Sequence, residues 1–376
     1  DVNYYYMEFI KRRTKSPERW MRRKAFWMSY SVTLSPSGKK FQVEPDEGIL
    51  AAGLEAGINM PYGCRMGTCR SSRGKVVSGE VDLGDAHPTY LPMEQRAEGY
   101  ALLCQAKPLS DVVIEVEELP PLPEPQISPA MVKEMSKVAS DVMIVRFRLP
   151  LHLNMRFEAG QYVDFMLADG VRRSYSIANP PKPEGVIDLE FHIRHLPGGQ
   201  FTDRVFNGMK TREKIQFEGP LGTFFLRDSD KPAIFLASGT GYAPIRSILQ
   251  KVLARGTDRK MVLYWGARCL DDIYLYDEAK ALADEHPNLT FVPVLSEPRP
   301  EDNWTGRTGF VHRSVIEDHP DMSGWQVYAC GTPLMVEAAR RDFSAECKLP
   351  DDEFYADSFV SEADLARAQA EDANAV

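Results

Sequence analysis

The 376-residue chain has no run of about 18 apolar residues, so it offers no candidate membrane-spanning helix. Its first residues lack the apolar stretch that a secretory signal requires. Cysteine is scarce, six in the whole chain, which excludes a scaffold built on disulfides. Positive charge is not in excess. The 45 Lys and Arg against 54 Asp and Glu leave a formal net charge of −9, which disfavours nucleic acid as a partner. There is no internal repeat. These absences leave a cytoplasmic globular protein, long enough for two or three domains. Its acidic surface suits either simple solubility or a partner with a basic docking face.

What is present is unevenly spread. Residues 1–28 form a basic extension rich in Lys, Arg and aromatics, read either as a surface helix for membranes or nucleic acid or as an extension upstream of Met28. From Tyr30 apolar residues alternate through Val32 and Leu34, turn at Pro36–Gly38, and resume at Phe41 and Val43, the pattern of a hairpin. A short helix is predicted at 49–56 and strands at 75–81 and 112–116. Residues 118–129 hold five prolines and predict a semi-rigid linker, since proline continues neither a helix nor a central strand.

Beyond the linker, residues 130–228 carry short β-like runs at 142–149, 162–167, 174–178, 187–194 and 214–218, which suggests a small antiparallel barrel. Residues 229–360 change rhythm. A buried strand at 234–237 leads into Ile245, Ile248, Leu249, Val252 and Leu253 at helical spacing. Strands follow at 261–265, 289–294 and 326–330, the mark of a doubly wound α/β domain. The Ala- and acid-rich tail, 361–376, is expected to fray.

Three segments carry chemistry. The first runs Pro61-Tyr-Gly-Cys64-Arg-Met-Gly-Thr-Cys69-Arg-Ser-Ser72, with Cys104 some thirty residues on. Plant-type [2Fe–2S] sites use Cys-x4-Cys-x2-Cys and a distant fourth cysteine. Cys64, Cys69 and Cys104 match, and Ser72 stands in the third position. Residues 29–117 therefore resemble a plant-type ferredoxin domain. A serine oxygen must lose a proton that it holds far more tightly than cysteine does, which predicts a weaker, more labile cluster or a cluster-free fold.

The second segment is Arg173-Ser174-Tyr175-Ser176, followed by His192, Arg194, Gly198, Gly199 and Thr202. This segment resembles the R-x-Y-S signature of the ferredoxin–NADP reductase superfamily, and the resemblance implies a guanidinium pairing with phosphate, an aromatic ring against a flavin and a hydroxyl hydrogen-bonding its reactive edge. Gly198 and Gly199 admit phosphate to a helix N-terminus near Thr202. His192 and His195 as a metal pair are disfavoured, because residues three apart on a strand face opposite sides. The third segment is Gly239-Thr240-Gly241, with Pro244 opening the amphipathic helix. It is completed by Arg268 after the next strand, by Cys330-Gly331 after a later one, and by Phe359 at the end.

In this order the motifs resemble the ferredoxin–NAD(P) reductase superfamily, and in particular modular reductase components similar to those of multicomponent oxygenases and of deoxysugar dehydrases. The resemblance implies a multidomain α+β and α/β chain: a β-grasp ferredoxin domain, a small antiparallel flavin-binding β-barrel, and a doubly wound parallel-sheet nicotinamide domain. It implies FAD rather than FMN and NADH ahead of NADPH, although Arg268 could meet a 2′-phosphate. It implies hydride transfer to flavin near Tyr175, Ser176, Cys330 and Phe359, and single electrons leaving through a cluster on Cys64, Cys69, Ser72 and Cys104 to an oxygenase or dehydrase. The alternative is a cluster-free diaphorase or flavin reductase that serves small acceptors.

Overall fold

The computed structural model describes residues 29–360, so the basic extension and the acidic tail lie outside the described residues. The chain divides into two compact units. Among the described residues, one comprises 29–60 with 73–117, and the other 61–72 with 118–360. The cysteine loop thus groups by its contacts with the second unit, although the sequence reading assigned it wholly to a domain spanning 29–117.

The first unit contains β1 (Tyr30–Ser35), β2 (Lys40–Val43), α1 (Ile49–Glu55), β3 (Arg73–Ser78), β4 (Val81–Asp82), α2 (Met93–Ala97), β5 (Tyr100–Leu102), β6 (Lys107–Pro108) and β7 (Val112–Glu115). Its main sheet runs β2-β1-β7-β3-β5, with β1 and β7 parallel and the other pairs antiparallel. Alternate residues Val32 and Leu34 on β1 and Phe41 and Val43 on β2 are buried, as period-two patterning requires. The strand expected at 75–81 is broken at Gly79, whose φ of +87° turns the chain between β3 and β4.

In the second unit the barrel is β8 (Gln126–Ala139), β9 (Val142–Arg148), β10 (Tyr162–Met166), β11 (Arg172–Ser176), β12 (Asp188–Arg194), α3 (Gln200–Asn207) and β13 (Lys214–Leu221). The strands order as β11-β10-β13-β8-β9-β12. The two ends meet where the Ala178 amide, just past β11, donates to the Glu190 carbonyl of β12 at 2.8 Å. Phe165 fills the interior, with Phe147, Phe191 and Phe201 at 5.0, 5.0 and 5.2 Å between ring centroids. The last residues of the expected linker fold differently, because β8 already begins at Gln126 and contains Pro129. Residues 126–131 pair with β13, and β9 pairs only from Met131 onward. Proline is tolerated here because its half of the strand has a single neighbour.

The nicotinamide half comprises β14 (Ala233–Ser238), α4 (Tyr242–Ala254), β15 (Met261–Ala267), α5 (Tyr276–Glu285), β16 (Leu289–Leu295), β17 (Arg307–Thr308), α6 (Val311–Asp318), β18 (Gln326–Gly331), α7 (Pro333–Cys347) and β19 (Phe354–Ser358). All its strands are parallel, ordered β17-β16-β15-β14-β18-β19. Alternate residues of β14 go to separate cores. Phe235 and Ala237 join Leu263, Trp265 and Tyr328, while Ile234 and Leu236 join Val262, Val327 and Ala329. A strand buried on both faces is what parallel sheets require.

Barrel and α/β sheet are joined by a buried polar network. Glu190 and His192, two apart on one face of β12, meet Arg246 of α4 and Tyr274 before α5. Glu190 accepts from Arg146 Nε at 2.6 Å and Arg246 Nη1 at 2.9 Å, and His192 Nδ1 lies 2.8 Å from the Tyr274 hydroxyl. Burial on its own raises the Glu190 carboxyl, but the His192 hydrogen bond and the Arg246 charge override it and hold the group down at about 2. Burial pushes His192 down in turn, against the pull of Glu190. Both groups bind fewer protons folded than unfolded. Their contribution is therefore complete above the unfolded histidine value of about 6.5 and is lost as pH falls, first through His192 and then, below about 4.3, through Glu190. Glu190→Gln should melt lower at neutral pH and lose less Tm between about pH 5 and pH 3 than the parent. A thermal-melt series in which the two profiles run parallel contradicts this.

Candidate functional site

The parallel sheet reverses its strand order between β14 and β18, and in such sheets ligands bind in the crevice at the carboxyl ends of the strands on either side of that point. Gly239–Gly241 form one tight turn there, followed directly by α4 with Pro244 in its first turn. Beside it run Cys330 and Gly331 at the end of β18. A Cβ on Gly241 would lie 2.1 Å from the Cys330 carbonyl oxygen, so only glycine lets these two backbones approach. The glycine read from sequence as room for phosphate thus also serves as room for a neighbouring strand. Trp265 Nε1 donates to the Gly239 carbonyl at 3.1 Å, and Tyr242 stacks on Trp265 at 4.0 Å, which fixes the turn from below.

Arg194 reaches this turn from β12. Its guanidinium carbon would lie 3.2 Å from a Cβ on Gly239, and its Nη2 is buried without a hydrogen-bond partner. A buried unsatisfied guanidinium N–H against a glycine turn at a helix N-terminus is a fit for dinucleotide phosphate. Arg268 follows β15 with its side chain 67% exposed and Nε 3.2 Å from Asp272.

On the barrel side, Arg173, Ser174, Tyr175 and Ser176 form most of β11. Ser176 is buried, and Tyr175 packs its ring 5.2 Å from Phe201. Ser176 interacts with the carboxyl of Asp357 on β19, whose register partner is Cys330 of β18. Ser176, Asp357 and Cys330 are thereby brought together. Asp357 is a site residue that the sequence reading passed over. Burial, with the nearby Cys64 charge adding and the Ser176 hydroxyl opposing, pushes its carboxyl up to about 7. Burial, with Asp357 adding, also pushes the Cys330 thiol up. The signal available in sequence was an acid inside an otherwise apolar and aromatic terminal strand. Phe359 is partly exposed, and its amide donates to the Gly331 carbonyl at 2.8 Å.

Three expected ligand residues are engaged elsewhere. The His192 side chain is fully covered and turned into the polar network with Tyr274 and Glu190. Thr202 Oγ1 donates to the Leu196 carbonyl at 2.9 Å, and the Gly198 amide donates to the Asp203 carboxylate at 3.1 Å. These bonds close the turn before α3 and leave the backbone at Gly199 as its N-cap.

In the cysteine loop, Cys64 Sγ accepts from the amides of Met66 and Thr68, both at 3.4 Å, and from Thr68 Oγ1 at 3.2 Å. A hydrogen bond from the Cys69 thiol is the largest cause that brings Cys64 down to about 5, burial opposing, while Cys69 is pushed up. Arg65, Gly67 and Arg70 adopt φ of +58°, +81° and +60°, winding the chain around the sulfurs. A thiolate ringed by N–H donors fits iron ligation. Ser72 is buried in the same loop. Cys104 belongs to the first unit, in the turn after β5. There the Leu103 and Ala106 carbonyls on either side of it accept from the Leu50 and Ile49 amides of α1, at 2.9 and 3.0 Å. Among the described residues no three His, Cys, Asp or Glu side chains form a metal-binding group, so the fourth ligand position rests on sequence pattern.

Comparison with known proteins identifies this assembly. Residues 32–109 match the 2Fe-2S iron-sulfur cluster binding domain, 129–226 the oxidoreductase FAD-binding domain, and 235–341 the oxidoreductase NAD-binding domain. The CDP-6-deoxy-L-threo-D-glycero-4-hexulose-3-dehydrase reductase of Yersinia pseudotuberculosis is 40% identical, over 89% of this chain and 99% of its own. The phenol hydroxylase P5 protein of Acinetobacter pittii is 36% identical, over 92% and 99%. The crystal structure of the Amycolatopsis cytochrome P450 reductase GcoB superposes with a TM-score of 0.70 at 35% identity, over 88% and 99%.

The chain belongs to the ferredoxin–NAD(P) reductase superfamily. Within it, this is an oxidoreductase of the modular reductase-component type, with domains for FAD, a nicotinamide dinucleotide and a [2Fe–2S] cluster. No helix among its described residues is long and apolar enough to cross a membrane. Gly241→Ala should force the GTG turn from the Cys330 carbonyl and cost on the order of 1–3 kcal/mol of stability, with weaker NADH binding. A melt and a nicotinamide titration both matching the parent contradict that close approach.

Proposed function

We propose that this reductase oxidises NADH and passes single electrons to a cytoplasmic protein acceptor, an oxygenase or a dehydrase component. One observation carries the reading of the site. Ser176, Asp357 and Cys330, drawn from the flavin motif, the terminal strand and the nicotinamide sheet, converge beside the GTG turn. Relatives named as a dehydrase reductase and a phenol hydroxylase protein support the class of acceptor. Six free cysteines suit a reducing compartment.

Bound FAD supplies the exchange between two-electron hydride chemistry and single electrons, which a [2Fe–2S] group accepts one at a time. The chain binds and orients. Arg173 and Arg194 supply charge for phosphate, and Gly199 frees the backbone that caps α3. Gly239, Thr240 and Gly241 form the turn for nicotinamide dinucleotide. Asp357 stands beside Ser176, and burial raises its carboxyl. Cys64 and Cys69 of the loop would supply thiolates to a cluster, with the Ser72 oxygen in the third position of the motif and Cys104 in the fourth by sequence pattern alone.

Iron, sulfide and flavin per chain on anaerobically purified protein, with an EPR spectrum after NADH reduction, test the relay. One flavin, two irons and a reduced-cluster signal that Ser72→Cys shifts are expected. One flavin without iron moves the function to a flavin reductase serving small acceptors. Ser176→Ala should retain flavin yet lower NADH-to-ferricyanide turnover roughly ten- to hundredfold, the worth of one strong hydrogen bond in the transition state. Unchanged turnover removes Ser176 from the reacting edge.

A further inference from the structure

The twelve residues 61–72 hold on to the barrel and the nicotinamide sheet with an unusual density of specific bonds. The Tyr62 amide donates to Thr223 Oγ1 at 2.8 Å, and the Thr223 amide returns a bond to the Tyr62 carbonyl at 3.0 Å. The Tyr162 hydroxyl, from β10, donates to the Gly63 carbonyl at 2.9 Å. Ser71 Oγ donates to the Ala356 carbonyl of β19 at 3.0 Å, and Arg70 pairs with Glu337 of α7 at 3.2 Å. Four of these bonds are between neutral groups, and Arg70–Glu337 is a partly exposed pair.

One bond differs in kind. Arg65, the residue after Cys64, sets its Nη2 2.5 Å from Asp164 Oδ2. Asp164 lies on β10 directly opposite Ser174 of β11, and Ser174 Oγ donates to its other oxygen, Oδ1, at 2.6 Å. The Asp164 side chain is 3% exposed. A carboxylate that deep in a barrel wall is costly unless each oxygen is paired. Here one oxygen serves the cysteine loop and the other serves the flavin motif. Arg172 stands 3.9 Å away, too far for a hydrogen bond, so Arg65 supplies the near charge.

We infer that Asp164 is a positioning residue, which through its Arg65 and Ser174 bonds locks the backbone at Cys64 to the flavin-binding strand and so fixes the path by which electrons leave the flavin. Arg65 with its left-handed φ of +58° is the matching part on the loop, a conformation held by the pair rather than by its own preference. The inference rests on the relay reading. It predicts that breaking the pair frees the loop without disturbing hydride uptake.

Arg65→Gln and Asp164→Asn should each accelerate amide hydrogen exchange across residues 62–71 of the holoenzyme, while exchange in β14 and α4 stays as in the parent. With iron and flavin per chain verified equal, NADH-to-cytochrome c turnover should fall roughly tenfold and NADH-to-ferricyanide turnover should hold. Arg65→Lys, which keeps the charge, should recover most of the loss. If Asp164→Asn misfolds, Arg65→Gln, changed at a partly exposed side chain, still decides. Loop exchange matching the parent, or both acceptors slowed equally, overturns the inference. Failure of the parent itself to reduce cytochrome c would fall on the relay reading, and the exchange experiment would still judge the clamp.

Discussion

The approach of the Gly241 backbone to the Cys330 carbonyl is the constraint on which the rest of the site depends. Two parallel strands, β14 and β18, can end side by side only if the turn leaving one passes within contact distance of the other. That contact sets where α4 begins, and with it the direction of its unpaired N–H groups. Cys330 is also the register partner of Asp357 on β19, and Asp357 in turn stands beside Ser176 of the barrel. A side chain at residue 241 would collide with the Cys330 and Gly331 backbone and push the turn away from β18. The site is therefore a consequence of strand packing, and the groups proposed for the chemistry are held by the same contacts that hold the fold.

The barrel and the α/β sheet share their polar interior in a way that links fold to function. Glu190, His192 and Arg246 cross from β12 to α4, the helix that opens at the nicotinamide turn. Charges at this depth add little net stability over an apolar joint of equal volume. What they add is geometry, since a hydrogen-bonded network accepts one relative placement of the two halves, whereas apolar surfaces tolerate sliding.

Most of this was legible in the sequence. The strand–turn–helix at 233–254 declared itself through a buried run, two glycines, a proline and helical spacing. The R-x-Y-S segment read as part of a β-like run, and it forms most of β11. What stayed hidden depends on contacts distant in sequence. His192 reads as a ligand until Tyr274, 82 residues on, is seen to occupy it. Asp357 reads as one more acid near an acidic tail until burial raises it. Periodicity marks 61–72 as an irregular loop with cysteines and carries no sign that Thr223, Asp164 and Ala356 grip it. The linker was misjudged at its end for a local reason, since proline is barred from a strand only where both neighbours are paired.

That exception at Pro129 bears on how the protein survives its own synthesis. The first half of β8 has a partner on one side only, and an open strand edge of this kind is a template on which another chain can add itself. A proline there leaves one donor missing from the ladder, and the proline-dense stretch before it cannot extend the edge. The same residues that make the connection stiff deny a second molecule a place to zip on along this open edge of the barrel wall.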